Sequence, residues 1–293
     1  MRNKQPWLTV LFILLASAPR LASGAEPAEP AIAAVLSSEA GPYREALAGL
    51  QEELGFSVPV FSLSRGEPKI PDSARIVVAF GSKAALLRRQ DRLTLVYAMS
   101  PGVVIKDKNT FEVHMEPEAS VLLSSLKKIQ PGLKKLGILW QSPKFEAYLL
   151  QLRSAAAELD MSIEDSRLEK TAEVPGRLRI LYGKIDAIWL PPDPLLLNAD
   201  NLTIFTEFSR SNNIPFFVPS GGLLEQGLAS VTPTFREIGR LAAIAARSAL
   251  TGQNQKKIIY PTRVELGINK AAAAKIGLKI SEETLRQADK IIP

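Results

Sequence analysis

Residues 214–252 constrain the fold of this chain more than any other stretch, because strand-like runs, small-residue loops and a long amphipathic helix follow one another within it. The first run, residues 214–218, is β-branched and aromatic, and it stops at the PSGG of residues 219–222, where a strand must end. A second apolar run covers residues 228–231. Short apolar strands that alternate with helices are typical of parallel α/β layers.

The helix of this stretch carries its own start and stop signals. Thr234 is predicted as the N-cap and Glu237 follows three residues later, which is the spacing of a capping box. Gly252 closes the helix. A helix of this length between two predicted strands is typical of a segment that connects one lobe to another.

The same alternation of strand and helix runs through most of the chain. The predicted strands are residues 31–36, 58–63, 75–80, 93–99, 136–140, 163–168, 186–190, 214–218, 228–231 and 263–268. The predicted helices begin near residues 42, 84, 117, 144, 177, 202, 234 and 270. Residues 103–116 are polar and are interpreted as an irregular crossing between lobes.

Two segments share one construction, RIVVAFGSKAALL (residues 75–87) and DAIWLPPDPLLL (residues 186–197). Each is a buried strand followed by a tight polar loop and a Leu-rich helix start. We interpret the two halves of the chain as topological repeats. A chain of 293 residues with 46% hydrophobic content has the length for two lobes of roughly 100 to 150 residues.

The first residues have the pattern of an export signal. Arg2 and Lys4 precede an apolar run at residues 7–16, and small residues at 22–24 precede Ala25, so cleavage is expected near Gly24-Ala25. The apolar run is too short to span a bilayer. An uncleaved membrane anchor is the alternative reading.

Charge and cysteine content narrow the classes of partner. Without residues 1–24, which carry three basic and no acidic residues, the formal net charge falls from +6 to +3. The remaining charges are scattered, which argues against a nucleic-acid surface. The absence of cysteine excludes disulfides, thiolate metal sites and the lipid-attachment residue of a lipoprotein. We expect an exported, periplasmic protein without a lipid anchor, acting as a monomer.

Catalytic and cofactor motifs are weak in this sequence. His114 is the only histidine and lies in the predicted crossing, which favours a surface position. The S-x-x-K matches at Ser124 and Ser125 lie on an amphipathic helix and have no S-D-N or K-T-G partner. No G-x-S-x-G, P-loop or G-x-G-x-x-G is present. Glu116 and Glu118 are interpreted as solvated charges, and no metal, cofactor or enzyme activity is predicted.

The second half of the sequence resembles the ABC-transporter substrate-binding family that includes tryptophan- and tyrosine-binding members. The family's short motifs are filled here by Gly227-Leu228-Ala229-Ser230, Gly239-Arg240, Pro261-Thr262, Ile268-Asn269 and Gly277-Leu278, and its strand before the binding loop is similar to residues 184–193. The resemblance covers most of the chain and is strongest from about residue 136. The first lobe departs from the family pattern at residues 100–102 and 107–114.

The resemblance implies a type I periplasmic-binding-protein fold: two doubly wound parallel-sheet lobes, a three-segment hinge and a cleft that closes on a small solute. The implied division is a signal peptide at 1–24, a first lobe at 31–113 plus 233–256, a second lobe at 114–232 plus 257–280, and a C-terminal tail at 281–293.

Ligands of parallel α/β layers bind beyond the carboxyl ends of the strands. That rule selects small polar residues at strand ends, and each serine is equally compatible with a helix N-cap. Tyr43 is a candidate for stacking on a ligand or for the core, and the resemblance places Asp193 to hold a ligand ammonium. The predicted ligand-binding residues are Ser38, Tyr43, Ser82, Ser100, Gln141, Ser142, Asp193 and Ser220. Trp140 and Trp189 are expected to be buried near the cleft floor.

The predicted function is the solute-binding component of an ABC import system, with an amino-acid-like or other small organic solute. The implied partner is an inner-membrane permease with its ATPase. A binding module that reports to a sensor and a periplasmic hydrolase are the alternatives. Sugar-repressor relatives share the two lobes, but here an export signal occupies the position of their DNA-binding domain.

Overall fold

The computed structural model of the chain describes residues 31–87, 90, 92–253 and 256–293. The predicted export signal at residues 1–24 and the polar lead-in at 26–30 lie outside these ranges. The strands are β1 (Ile32–Leu36), β2 (Val60–Ser62), β3 (Ile76–Phe80), β4 (Thr94–Ala98), β5 (Thr110–Val113), β6 (Lys135–Trp140), β7 (Ser162–Arg167), β8 (Ala187–Trp189), β9 (Phe216–Val218), β10 (Ala229–Thr232), β11 (Ile258–Ile259), β12 (Glu265–Asn269) and β13 (Lys290–Ile292).

The helices surround two sheets. They are α1 (Gly41–Leu54), α2 (Ser82–Ala85), α3 (Ala119–Ile129), α4 (Phe145–Glu158), α5 (Val174–Leu181), α6 (Ala199–Asn212), α7 (Phe235–Thr251), α8 (Lys270–Lys275) and α9 (Glu282–Gln287). The N-cap prediction for α7 is confirmed, since the Thr234 hydroxyl accepts from the Glu237 N–H at 2.9 Å. None of the helices in the described ranges has the length and apolarity of a membrane-spanning segment.

The two sheets repeat one strand order, which agrees with the interpretation of the two halves as topological repeats. The first sheet has the order β11-β5-β4-β3-β1-β2 and is parallel throughout. The second has the order β13-β12-β10-β9-β8-β6-β7, and only the β10–β12 pairing within it is antiparallel. In each lobe the second strand flanks the first, and the third, fourth and fifth strands follow on the other side.

Each sheet is covered by helices, and the closest helix packing lies in the first lobe. There α1 and α7 approach so closely that a Cβ added to Gly239 would lie 1.8 Å from the Ala46 carbonyl oxygen, and one added to Gly49 would lie 2.0 Å from that of Arg236. In the second lobe, α3 and α4 pack through large buried side chains such as Leu122, Tyr148 and Leu152.

The chain crosses between the lobes three times, after β5, after β10 and after β11. The prediction that residues 103–116 are irregular is wrong for β5, which pairs with β4. The expectation that residues 257–280 belong to the second lobe is wrong at its start, because β11 pairs with β5 of the first sheet and the last crossing follows Ile259. The C-terminal tail contains the helix α9 and the strand β13, which joins the second sheet beside β12.

Candidate functional site

A narrow cleft of about 20 Å³ lies where the carboxyl ends of strands from both lobes face each other. It is lined from the first lobe by the loop after β4 and by β5 with the crossing that follows it, and from the second lobe by the start of α4 and the loop after β8. The lining residues are Ser100, Pro101, Gly102, Glu112, Val113, His114, Met115, Glu116, Ser142, Lys144, Phe145, Pro192, Asp193 and Pro194.

Asp193 anchors the second-lobe side of this cleft. Its side chain is almost fully buried, and Oδ2 accepts hydrogen bonds from the backbone N–H groups of Gln141 at 2.8 Å and Ser142 at 2.7 Å. Oδ1 accepts from the Leu195 N–H at 3.0 Å. The carboxylate therefore joins the loop after β6 to the loop after β8, and it brings a negative charge to the cleft in a fixed position.

Glu112 is the corresponding carboxylate of the first lobe, but side chains hold it. Oε2 accepts from the Tyr97 hydroxyl at 2.7 Å, and Oε1 lies 3.2 Å from His114 Nε2. Oε1 also forms an ion pair with Lys144, which stands at the N-cap of α4 on the opposite lobe. This ion pair connects the two lobes directly across the cleft.

His114 lies between two carboxylates, and the expectation of a surface histidine is wrong. It is only 7% exposed; Nδ1 lies 3.1 Å from Glu116 Oε2, while Nε2 faces Glu112. Its ring centroid is 4.3 Å from that of Tyr260, which lies on the third crossing. Glu116 is also largely buried, contrary to the prediction of a solvated charge, whereas Glu118 is exposed as predicted.

The environment of the cleft changes the protonation equilibria of three groups. Burial opposes ionisation of Glu116, but the hydrogen bond with His114, the charge of His114 and the charge of Lys144 together lower the Glu116 pKa. Burial and the Glu112 carboxylate raise the pKa of Tyr97, so the phenol stays protonated and donates. Burial is the largest cause that raises the pKa of Tyr260 to about 12.

Among the residues predicted from the sequence, Ser100, Ser142 and Asp193 line the cleft. Gln141 is adjacent, and its side-chain Nε2 donates to the Glu169 carbonyl at 3.0 Å. The Ser100 hydroxyl donates to the Ala98 carbonyl at 3.0 Å. The ligand roles of these four residues stay predictions.

The other four predicted residues lie outside the cleft lining. Ser38 accepts from the nearby Ala40 N–H at 3.4 Å, and Tyr43 packs, half-buried, against the first-lobe core. Ser82 begins α2, and Ser220 precedes a short 3₁₀ turn at Gly221–Leu223. Their ligand roles also stay predictions.

The two tryptophans of the second lobe are buried, as predicted. Trp140 donates through Nε1 to Asp165 at 2.9 Å. The Phe145 ring, which lines the cleft, lies 5.9 Å from the Trp140 ring and 6.1 Å from the Trp189 ring. A movement of Phe145 at the cleft wall would therefore change the surroundings of both indole rings.

Sequence reasoning missed four ionisable residues of the cleft lining, which we call the interlobe charge cluster: Glu112, His114, Glu116 and Lys144. A signal for the first three was available. The apolar residues Phe111, Val113 and Met115 alternate with these polar positions, and this period of two is typical of a half-buried strand. Lys144 gave a weaker signal, since a cation is unfavourable at a helix N-terminus.

Comparison with known families matches residues 114–292 to the family described as ABC transporter substrate binding protein. A tyrosine-binding protein of Clostridioides difficile (strain R20291) is 24% identical over 170 residues, which are 57% of this chain and 46% of that protein. The chain thus aligns with about half the length of this curated relative.

Two solved structures are similar over nearly their whole length. The ABC domain in complex with L-Trp from Streptococcus pneumonia is 18% identical, with a TM-score of 0.60, and the match covers 89% of this chain and 99% of that one. The ligand-free, open structure of a substrate binding protein with adhesive properties from Clostridium difficile is 14% identical, with a TM-score of 0.62, covering 88% and 98%. At these identities the likeness establishes the two-lobe fold.

Proposed function

Because this chain belongs to the ABC transporter substrate binding protein family, we propose that it is the solute-binding component of an ABC import system and captures a small amino-acid-like solute by lobe closure. Family members are binding proteins rather than enzymes, and their fold here is that of the type I periplasmic binding proteins. Such proteins are generally extracytoplasmic, which supports export through the signal predicted at residues 1–24.

The observation that carries this proposal is the cleft itself. Its two walls come from different lobes, and charges of both signs meet there: Glu112 and Asp193 are negative and Lys144 is positive. A zwitterion presents both charges to such a surface, and a site between domains is a common place for small polar ligands. The names of two similar proteins, a tyrosine-binding protein and a complex with L-Trp, agree with this class of solute.

The mechanism follows from the three crossings. A solute that contacts both lobes binds the closed form more tightly than the open form, and it therefore shifts the population towards closure. The closed form is then the state that a membrane permease would recognise, with the energy for transport supplied by the permease's ATPase. In this proposal the protein acts as a monomer, and Ser100, Ser142 and Asp193 supply polar contacts from the cleft walls.

The test is a binding screen of the purified mature chain against the twenty standard amino acids by isothermal titration calorimetry, with tryptophan fluorescence as a second readout. We expect at least one amino acid to bind saturably, to change the emission of Trp140 and Trp189, and to be recovered unchanged by mass spectrometry. Trp189→Phe is the control for the origin of the signal. Absence of binding by every amino acid would overturn the proposed solute class, and consumption of the solute would overturn the binding role.

A further inference from the structure

The Lys144–Glu112 ion pair has an unusual place in the molecule. Its two residues belong to different lobes, and their side chains are only 14% and 11% exposed. Two charges taken out of water lose hydration that their mutual attraction does not reliably restore, so a buried ion pair is weak evidence for a stabilising role. The pair also lies in the lining of the cleft that we propose for the solute.

The position of Lys144 on its own helix supports a role outside helix stability. It is the N-cap of α4 and makes no side-chain cap hydrogen bond. Serine, threonine, aspartate and asparagine are favoured at this position, and a positive charge is disfavoured by the helix dipole. The ammonium instead reaches the first lobe, where it contacts Glu112 and lies 5.6 Å from the centre of the Tyr97 ring.

Contacts within the first lobe keep Glu112 in position when Lys144 moves away. The other contacts of the Glu112 carboxylate come from the first lobe. Tyr97 lies in β4, and His114 directly follows β5. Separation of the lobes would therefore remove Lys144 and leave the Glu112 carboxyl group oriented, with one side free. Asp193 is less available to a solute cation, because three backbone N–H groups occupy its oxygens.

We propose that the Lys144–Glu112 pair occupies, in the solute-free protein, the two charge positions of a zwitterionic solute. On binding, the ammonium of the solute replaces Lys144 at Glu112, and its carboxylate takes Lys144 as partner. The inference rests on the proposed function and names the residues that recognise the two charges. It makes Lys144 an internal competitor for cations and Glu112 an internal competitor for anions.

The experiment compares three ligands that share one side chain: L-tryptophan, tryptamine without the carboxylate, and indole-3-propionate without the amine. The corresponding L-tyrosine set is used if L-tyrosine binds more tightly in the screen. Affinities are measured by calorimetry for the wild type, Lys144→Met and Glu112→Gln. Lys279→Met, at an exposed position of the second lobe, is the matched control, and thermal unfolding of each variant verifies folding.

We expect the wild type to bind L-tryptophan at least tenfold more tightly than either analogue. Lys144→Met should no longer prefer L-tryptophan over tryptamine. Tryptamine should bind this variant more tightly than it binds the wild type, because the Lys144 ammonium no longer competes for Glu112. Glu112→Gln should no longer prefer L-tryptophan over indole-3-propionate, and it should bind indole-3-propionate more tightly than the wild type does. A gain of affinity is a result that general damage to the site would not produce.

Three results would overturn the inference. If an amino acid binds and both variants keep the wild-type discrimination, the residues are assigned wrongly while the proposed function stands. Loss of all three ligands in both variants, with folding intact, would mean that the pair serves only to hold the lobes together. Absence of binding by every amino acid of the screen would overturn the proposed solute class and this inference together. An amino acid other than tryptophan or tyrosine that binds in the screen is tested with its own decarboxylated and deaminated analogues under the same criteria.

Discussion

The two lobes share one strand order but present charge to the cleft in different ways. The second lobe holds Asp193 through backbone N–H groups of its own loops. The first lobe holds Glu112 through side chains, one of which comes from the opposite lobe. A carboxylate that accepts hydrogen bonds from backbone N–H groups keeps its position as long as the lobe stays folded. A carboxylate that pairs with a lysine across the cleft can exchange that partner. The same topology thus carries one rigid wall and one wall that can respond to a solute.

The lobes also differ in their helix layers. In the first, α1 and α7 touch backbone to backbone at glycines. In the second, α3 and α4 are separated by leucine and tyrosine side chains. Close backbone contact leaves no room for adjustment, so we expect the first lobe to be the less tolerant of added volume.

Gly239→Ala provides the largest expected effect. Its Cβ would lie 1.8 Å from the Ala46 carbonyl oxygen, so the helices must move apart, and we expect a loss of roughly 3 kcal/mol in the free energy of unfolding. Gly176→Ala in α5 of the second lobe is the matched control. Apart from its chain neighbours and the backbone of its own helix, no atom of the described residues lies within 4 Å of its added Cβ, and helix propensity predicts a small gain. Equal effects in urea denaturation would contradict the difference between the helix layers.

Asp193→Ala tests the rigid wall. Three backbone N–H groups lose their acceptor, and we expect about 2 kcal/mol of destabilisation in addition to any loss of binding. Asp193→Asn retains one acceptor oxygen and should recover part of the stability. If Asp193→Ala unfolds like the wild type but binds solute at least tenfold more weakly, the residue is a ligand contact rather than an anchor.

Tyr97→Phe tests the wall that we describe as responsive. The change removes one hydroxyl from a buried hydrogen bond to Glu112, and we expect a loss of about 1.5 kcal/mol in the free energy of unfolding. Solute affinity should also fall, because Glu112 is then less well oriented. An unchanged stability and affinity would indicate that Lys144 and His114 hold this carboxylate without the tyrosine.

The pH dependence of stability gives the smallest effect. The pKa of Glu116 is lowered in the folded state, so its contribution is complete above its unfolded value of 4.5 and is lost as the pH falls through the folded pKa. Glu116→Gln should therefore make the free energy of unfolding less dependent on pH on the acid side of pH 4.5. Urea denaturation from about pH 6 to about pH 3 measures this dependence. Glu118→Gln, at an exposed position two residues away, is the control and should leave the curve unchanged.

The regular part of the fold could be read from local patterns. The helix signals at Thr234 and Gly252 are both used, with the threonine as cap and the glycine at φ 69°, because caps depend on a few consecutive residues. The parallel α/β class and the repeated construction of the two lobes followed from the alternation of strand and helix, whereas the strand order came from the structure. The strand β5 was not recognised, since Glu112 and the charged residues on either side of the strand resemble a loop when their partners are unknown.

The site was only partly accessible from the sequence. Ser100, Ser142 and Asp193 lie in the cleft lining because strand ends of a parallel sheet meet at one edge. The partners of Glu112 could not be predicted, since Tyr97 and Lys144 are 15 and 32 positions away and meet it only through strand pairing and lobe closure.

The sequence by itself determined two α/β lobes, their repeated construction and the family, because periodicity and short motifs are local properties of the chain. Only the tertiary structure decided which charges face each other across the cleft. Burial and pairing depend on segments that are distant in sequence, and a lysine that reads as a surface residue becomes the partner of a buried carboxylate once the two sheets are placed together.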